Sequence, residues 1–471
     1  MRYYIKNFLD QEDSLSLWTD IGTDGAAYWP FLRHYILRKI ITVNEGHIPI
    51  KKNKFPRAQI ILKESLSLIR TAIALRKRKF FEIGFIISAV NARNQIDGKL
   101  CDRIHSAYFN YFPDALIMQI PYNGRLARYS NIKMNMLNFE LFSLLGLLGT
   151  KTWQNLSSED KNRIQYFVTN KVSKIADEYF DLSSLVIFLC NQYKRHLCTK
   201  KYFTQFLEKN SFKHKYFFVE DSSYLGQKAS INFLLHKHGF KIIECQHGLV
   251  ASDHDAYNYS ADVLTNLNHP ARYYLPDIFL TFGEYWNSII NIPSIKITMG
   301  MKYLNDFRET EMILENKPGS ILIISSGPIS KKTLQIAKTL AVSFKNHTIY
   351  YKLHPAEIHL KEFYQELSEF QNITVFDKEN PYNLIAKSNI IVGIESTLIM
   401  EALAFKGKRI FFKKNDYIPH NAGYTFETVD ELVSAIKDGK KGYPSININH
   451  VWDKNWTINF SNLLKEMNLL L

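Results

Sequence analysis

Continuous apolar runs alternate with amphipathic stretches through the later part of the chain. Ile321-Leu-Ile-Ile-Ser325, Thr348 to Leu353, Ile373 to Phe376, Ile390 to Gly393 and Arg409 to Phe412 have the length and β-branched or aromatic content of strands buried on both faces. The stretches between them, Lys331 to Phe344, Glu357 to Phe370, Pro381 to Lys387 and Leu398 to Phe405, carry the helical period. A less regular series precedes them. Phe81 to Val90, Ala115 to Ile120, His214 to Glu220, Lys241 to Cys245, Asp277 to Gly283 and Ile295 to Met299 read as strands. Ser157 to Tyr179, Ser183 to Lys209 and Gly226 to His238 read as helices, the first opening on a Ser-Ser-Glu-Asp cap. A βαβ rhythm of this kind demands parallel pairing through right-handed crossovers.

The pattern predicts an α/β protein of two facing Rossmann-like domains, residues 81–314 and 315–450, with a central cleft. Glu315-Asn-Lys-Pro-Gly319 supplies the break between them. A mainly helical N-terminal extension, residues 1–80, precedes the pair, and a C-terminal helix within 451–471 is expected to pack back on the first domain. Trp29 to Ile41 and Leu62 to Lys79 are the amphipathic segments of the extension.

Length and charge narrow the function. At 471 residues the chain exceeds one ordinary core, and 46% hydrophobic with 22% charged residues excludes a disordered protein. The net charge of +14 favours anionic partners. Nucleic acid is not expected, since zinc-finger spacing, RNP-like strands and an arginine-rich recognition helix are all missing from the sequence. Arg76-Lys-Arg-Lys79 reads either as a solvated helix terminus or as a patch resting on anionic membrane. The four cysteines form no C-x-x-C pair, as in a reduced cytosolic protein. Met1 to Asp13 has no signal-peptide core, and the apolar run Leu141 to Gly149 falls far short of the ~20 residues that span a bilayer. The expected location is the cytoplasm, with peripheral contact at the inner face of the cytoplasmic membrane.

Reactive side chains gather where strands run out. Lys241 to Cys245 ends in Gln246-His247-Gly248, Thr348 to Leu353 in His354-Pro355, and Ile390 to Gly393 leads to Glu395-Ser396-Thr397. Ligands of open α/β sheets lie outside the carboxyl ends of strands, so these three ends point to one site. His247 is a candidate general base. Glu220-Asp221, on the neighbouring strand end, either orients His247, replaces it as base, or caps the following helix. Lys352 and His354 alternate with apolar neighbours and share a face, which suits a diphosphate or nucleotide monophosphate. Ser326 and Gly327 form a βα turn, and Ser396 and Thr397 open a helix; both are phosphate cradles or simple caps. Glu395 suits a ribose diol. Gln246, His254 and Asp255 are expected at the acceptor pocket; Asp253-His254-Asp255 spells the D-x-D of metal-dependent sugar transfer, but no metal is expected there.

Lys352-Leu-His-Pro355 resembles the HP motif of bacterial sialyl- and polysialyltransferases, and Glu395-Ser396-Thr397 stands where that group carries a paired serine. The same layout is similar to teichoic-acid glycerophosphotransferases, in which a Trp-His-Gly triplet supplies the catalytic histidine; Gln246-His247-Gly248 resembles it. The resemblance covers roughly residues 210–415 and implies a GT-B glycosyltransferase of bacterial capsule or lipopolysaccharide synthesis. It departs in lacking the strict Ser-Ser pair and in having Glu220-Asp221-Ser222 for an acidic-acidic-glycine triplet. The implied reaction moves a sugar from a nucleotide-activated donor, a CMP-sugar in the first instance, to a surface glycan or lipid-linked acceptor, with no cofactor. A CDP-polyol phosphotransferase and a non-catalytic glycan- or nucleotide-binding protein are the alternatives.

Overall fold

The structure is a computed structural model. It describes residues 2–44, 68–74, 79–88, 94–96, 99–109, 111–121, 135–149, 156–251, 254–310, 319–325, 330–354, 357, 364–415 and 418–469. Two parallel sheets organise it. The first contains β1 (Gly84–Ser88), β2 (Leu116–Ile120), β3 (Asn135–Asn138), β4 (Tyr216–Val219), β5 (Lys241–Cys245), β6 (Ile278–Thr281) and β7 (Ile295–Thr298). Their spatial order is β7-β6-β5-β4-β1-β2-β3, every neighbour parallel. The second contains β8 (Ser320–Ile324), β9 (Thr348–Lys352), β10 (Ile373–Phe376), β11 (Ile390–Gly393), β12 (Arg409–Lys413) and β13 (Tyr424–Phe426). Its order is β10-β9-β8-β11-β12-β13, again all parallel. Chain direction across the sheets reverses between β4 and β1 in the first and between β8 and β11 in the second. These are the switch points at which open α/β sheets bind ligands.

The strands follow from their composition. Residues of β1, β5, β8 and β11 are buried almost without exception, because helices cover both faces of a parallel sheet. Four elements differ from the sequence pattern. Phe81 to Val90 is not one strand: Phe80–Phe81 pairs with Ser211–Phe212, and β1 begins only at Gly84. The polar edge strand β3 and the three-residue β13 have too little apolar content to be read in advance. The helix that opens at Ser158 is interrupted by a π-helical turn at Val168–Val172. Its cap is as read, with the Ser157 hydroxyl accepting from Asp160 N at 3.0 Å.

The N-terminal region is helical, with α1 (Tyr3–Ser14) and α2 (Arg33–Asn44), but its apolar side chains are continuous with the core of the first sheet. Arg33 anchors it. The guanidinium is buried and lies 2.7 Å from Glu12 Oε1. It also donates to the carbonyls of Asn258 at 2.7 Å and Asp255 at 3.3 Å, and stands 4.0 Å over the Tyr259 ring. Residues 62–67 and 75–78, including most of the basic tetrad, lie outside the described residues; 68–74 are mostly helical in backbone.

The chain finally crosses back. Trp452 Nε1 donates to Met400 O of the second domain at 2.7 Å, while Trp286 Nε1 of the first donates to Val451 O at 2.9 Å. Helix α8 (Trp456–Glu466) then stacks on Tyr108 and Tyr111, with Tyr111 and Phe460 ring centroids 4.7 Å apart. Gly283 and Gly300 make the crossing possible: a Cβ would lie 2.3 Å from Val451 O at the first and 2.4 Å from Asp453 O at the second.

Removing one member of a buried ion pair strands the other charge without compensation. Glu12→Ala should therefore lower unfolding free energy by about 3–5 kcal/mol in urea titration, and adding Arg33→Met should recover part of the loss.

Candidate active site

Strand β5 delivers the first reactive group. Beyond Cys245, the buried Gln246 is a structural clamp: its Oε1 accepts from Phe282 N and its Nε2 donates to Gly248 O, both at 3.0 Å. Its expected acceptor role is not the one these bonds give it, since both ends of the amide are engaged within the fold. The clamp sets the turn from which His247 projects. His247 Nδ1 lies 3.2 Å from Asp221 Oδ1 and 3.5 Å from the Tyr257 hydroxyl. Asp221 holds a left-handed backbone conformation, φ 54°, uncommon for a residue with a side chain and characteristic of strained functional positions. Nδ1 thus faces the carboxylate at ion-pair distance and the phenol at hydrogen-bond distance, which leaves Nε2 as the ring nitrogen turned from both.

Glu220 and Asp221 take separate places. Asp221 faces His247, whereas Glu220 is only 1% exposed and turns inward. Its carboxylate accepts from Ser88 N and gathers with Asp102 and His105, the three groups offering ligand-type atoms within 4.8 Å of one another. Glu220 is thereby removed from the crevice and does not act as base in this arrangement. Burial, reinforced by the charge of Asp221, pushes its pKa up to about 8. Asp102 Oδ1 accepts from the amides of Ile104 and His105 at 2.8 and 2.9 Å, and Oδ2 lies 3.0 Å from His105 Nδ1. Burial acts against a charge on His105, but the Asp102 charge outweighs it and holds the imidazole pKa well above its usual range. The cluster therefore pairs the His105 imidazole with the Asp102 carboxylate, beside a Glu220 whose raised pKa favours its neutral form.

Behind His247 lies a second carboxyl. Glu244 on β5 accepts from Ser223 N at 2.8 Å, from the Ser223 hydroxyl at 2.6 Å and from the Tyr257 hydroxyl at 3.0 Å. Burial pushes its pKa up to about 8, the hydrogen bonds from Ser223 opposing the rise. Beside His247 stand His254 and Asp255, joined by two residues of α2. His254 Nδ1 is 3.2 Å from Asp255 Oδ1, Arg38 Nε is 2.8 Å from Asp255 Oδ2, and His34 packs on Tyr224 at 5.0 Å between rings. Burial depresses the His254 pKa to about 4, so its imidazole is neutral at physiological pH. Its Nε2 lies 3.3 Å from the Tyr224 hydroxyl, and Tyr224 in turn packs against His247.

The second domain brings its own strand ends. The buried Glu357 ties two of them: Oε1 accepts from the Ser325 hydroxyl at 2.9 Å and Oε2 from His354 N at 2.8 Å. His354 itself is exposed. Lys352 departs from expectation. Its ammonium is buried, donates to the carbonyls of Asp377 at 2.9 Å and Leu353 at 3.2 Å, and has its pKa lowered by burial. It knits β9 to the segment after β10 and does not offer its charge to a phosphate. Glu395 and Ser396 follow β11, half-buried, with Ser396 Oγ accepting from Leu398 N at 3.3 Å to cap α7 (Thr397–Ala402). Ser326, Gly327 and Pro355 lie outside the described residues.

A hydrogen bond beside His247 joins the halves. Thr397 Oγ1 accepts from Leu249 N at 2.9 Å, and a Cβ on Gly248 would stand 3.4 Å from the same oxygen. The turn bearing His247 thus abuts the start of α7. Sequence reading missed Glu357, Glu244, Tyr257, His34, Arg38 and Arg103. Only Glu244 and Glu357 carried a local signal, as charged residues within or just beyond apolar strands; the others enter through the fold.

Two parallel α/β layers with facing carboxyl edges and a chain that crosses back form the GT-B arrangement. A sequence model of a family described as "putative O-antigen biosynthesis protein" matches residues 343–426, which include β9, His354 and Glu395 to Thr397. No curated protein matches the chain. Among solved structures, the chain is similar to S. aureus MnaA in a co-structure with UDP, at 12% identity over 84% of this chain and 98% of that one, TM-score 0.45. It is similar to UDP-GlcNAc 2-epimerase from Neisseria meningitidis bound to UDP-GlcNAc, at 11% identity over 82% and 100%, TM-score 0.40. It is also similar to a variant of the wall teichoic acid polymerase TagF, at 12% identity over 93% and 97%, TM-score 0.41. At these scores the fold assignment stands on the strand order.

The raised carboxyls give a pH signature. A folded-state pKa raised above the unfolded value contributes stability that is complete below the unfolded pKa and lost as pH rises through the folded one. For Glu244 and Glu220 that loss runs from the ordinary carboxyl value of 4.5 up to the folded value near 8 and is complete above it, while His254, lowered from 6.5 to about 4, opposes it only below pH 6.5. Thermal midpoints should therefore fall as pH rises from about 6.5 to 8, and Glu244→Gln should flatten the decline while leaving the share due to Glu220.

Proposed function

We propose that this chain is a glycosyltransferase of bacterial O-antigen-type surface-polysaccharide synthesis, moving a sugar from a nucleotide-activated donor to an acceptor hydroxyl. The observation that carries the reading is the His247–Asp221 pair held, through the Leu249–Thr397 hydrogen bond, against the switch-point edge of the second sheet. A base oriented by a carboxylate stands on one domain, and strand ends suited to a phosphorylated ligand stand on the other. The match of residues 343–426 to an O-antigen biosynthesis family supports the pathway class.

In this reading His247 Nε2 takes the proton of the acceptor hydroxyl while Asp221 stabilises the imidazolium that forms. His354, Ser396 and Thr397 contact the donor phosphate, and Glu395 binds ribose; Ser326 and Gly327, read from the sequence for the same role, lie outside the described residues. Lys352 fixes β9 from beneath. His34, Arg38, His254, Asp255 and Tyr224 line the acceptor side. With the Arg38 guanidinium already paired to Asp255, they offer imidazoles, a phenol and a compensated ion pair, hydrogen-bonding chemistry suited to a polyhydroxyl chain. A CMP-activated sugar is the first donor to test, and the excess positive charge favours acceptors at an anionic membrane surface. No helix among the described residues is long and apolar enough to cross a membrane.

Thermal-shift titration with CMP, CDP, UDP and GDP should reveal one preferred nucleotide, and His354→Ala should weaken its binding about tenfold. His247→Ala should cut transfer about 10²–10⁴-fold with nucleotide affinity retained. Mass spectrometry of the product distinguishes the outcomes. An added sugar supports the proposal, an added phosphodiester replaces it with polyol-phosphate transfer, and polymer synthesis unchanged by His247→Ala in cells argues for a binding protein.

A further inference from the structure

Arg103 lies far from His247 in sequence and is about a quarter exposed. Its guanidinium makes two contacts at once. Nη1 meets Glu401 Oε1 of α7 at 3.0 Å, and Nη2 donates to the His247 carbonyl at 3.2 Å. Glu401 is fully buried, so its charge lacks water and depends on protein partners. The pair is interdomain: Arg103 follows β1 in the first domain, and α7 is the helix whose first residue accepts from Leu249. Only a planar fork of donors spans a carboxylate and a carbonyl in this way; an ammonium is a single point.

The turn presenting Arg103 is unusually well fixed. Asp102 caps it through the amides of Ile104 and His105, and the buried Asp102–His105 pair pins it beneath the sheet beside Glu220. That gives the buried cluster, which faces no crevice, a use: it holds the base of the arm that reaches across.

We infer that Arg103 is a positioning residue that sets the His247 turn against the second domain. By gripping the His247 carbonyl and Glu401 together, it places the imidazole and the donor-side strand ends in register only when the two domains are docked. The role rests on His247 as the proton acceptor, but its physical consequence does not.

The test uses the full chain without any substrate. Hydrogen–deuterium exchange is followed at Leu249, whose amide is the interdomain donor, with amides of β1 and β8 as internal references, and small-angle scattering gives the radius of gyration. Arg103→Ala should raise Leu249 exchange at least about tenfold with the β1 and β8 amides unchanged, and should increase the radius of gyration. Arg103→Lys, which can keep Glu401 but not both partners, should retain the compact radius with intermediate Leu249 exchange. Wild-type Leu249 exchange in the Ala variant overturns the inference. If that variant does not fold, wild-type exchange in Arg103→Lys overturns it equally. None of these readouts needs a donor or an acceptor, so failure of the transferase reading leaves them intact, and failure here leaves that reading standing.

Discussion

A parallel sheet brings all its carboxyl ends to one edge, and this protein is built by setting two such edges against each other. Everything chemically pointed follows from that constraint. Reactive residues need not be near in sequence, since Asp221 and His247 follow β4 and β5 at the carboxyl edge of the first sheet, and His354 and Glu395 follow β9 and β11 at that of the second. What must be specified is how the edges meet. Among the described residues the links include Thr397 on the Leu249 amide, Arg103 between Glu401 and the His247 carbonyl, Trp452 on Met400, and Asn380 on the Tyr303 hydroxyl. The first three reach the same short helix, α7, which therefore acts as an abutment of the second domain.

Carboxyl groups divide by environment. Asp221 is partly solvated and stands beside the His247 imidazole. Glu220 and Glu244, in or just beyond the neighbouring strands, are sealed in the sheet, where burial favours their neutral forms. Glu220 and Asp221 are consecutive residues, so a side-chain reversal of one position decides which one meets the crevice. Alternation does not separate Lys352 from His354, which lie two apart; Lys352 is buried because its ammonium folds onto the carbonyls of Leu353 and Asp377, while His354 stands beyond the end of β9 and is exposed.

Much of this was legible in the chain and some was not. The strands of the second domain were readable because burial on both faces leaves an unbroken apolar run, as in Ile390 to Gly393, which the structure reproduces residue for residue. The His247–Asp221 pairing was foreshadowed because adjacent strand ends lie beside each other in any βαβ unit. Lys352 was misread for a physical reason. Alternation tells which face a residue takes, but not whether a long side chain extends to solvent or folds onto nearby carbonyls. Arg103, His34 and Arg38 could not be found, since their partners lie far along the chain and nothing local distinguishes them from surface cations.

The crossing at Gly283 and Gly300 bears on the order of assembly. The backbone of His450 to Asp453 lies where side chains on those glycines would be, and α8 closes over aromatic rings of the first domain. The first domain is thus finished by a segment made only after the second domain. Until that segment leaves the ribosome, Tyr108, Tyr111 and Trp286 remain without their covering, and the nascent first domain carries an open apolar seam.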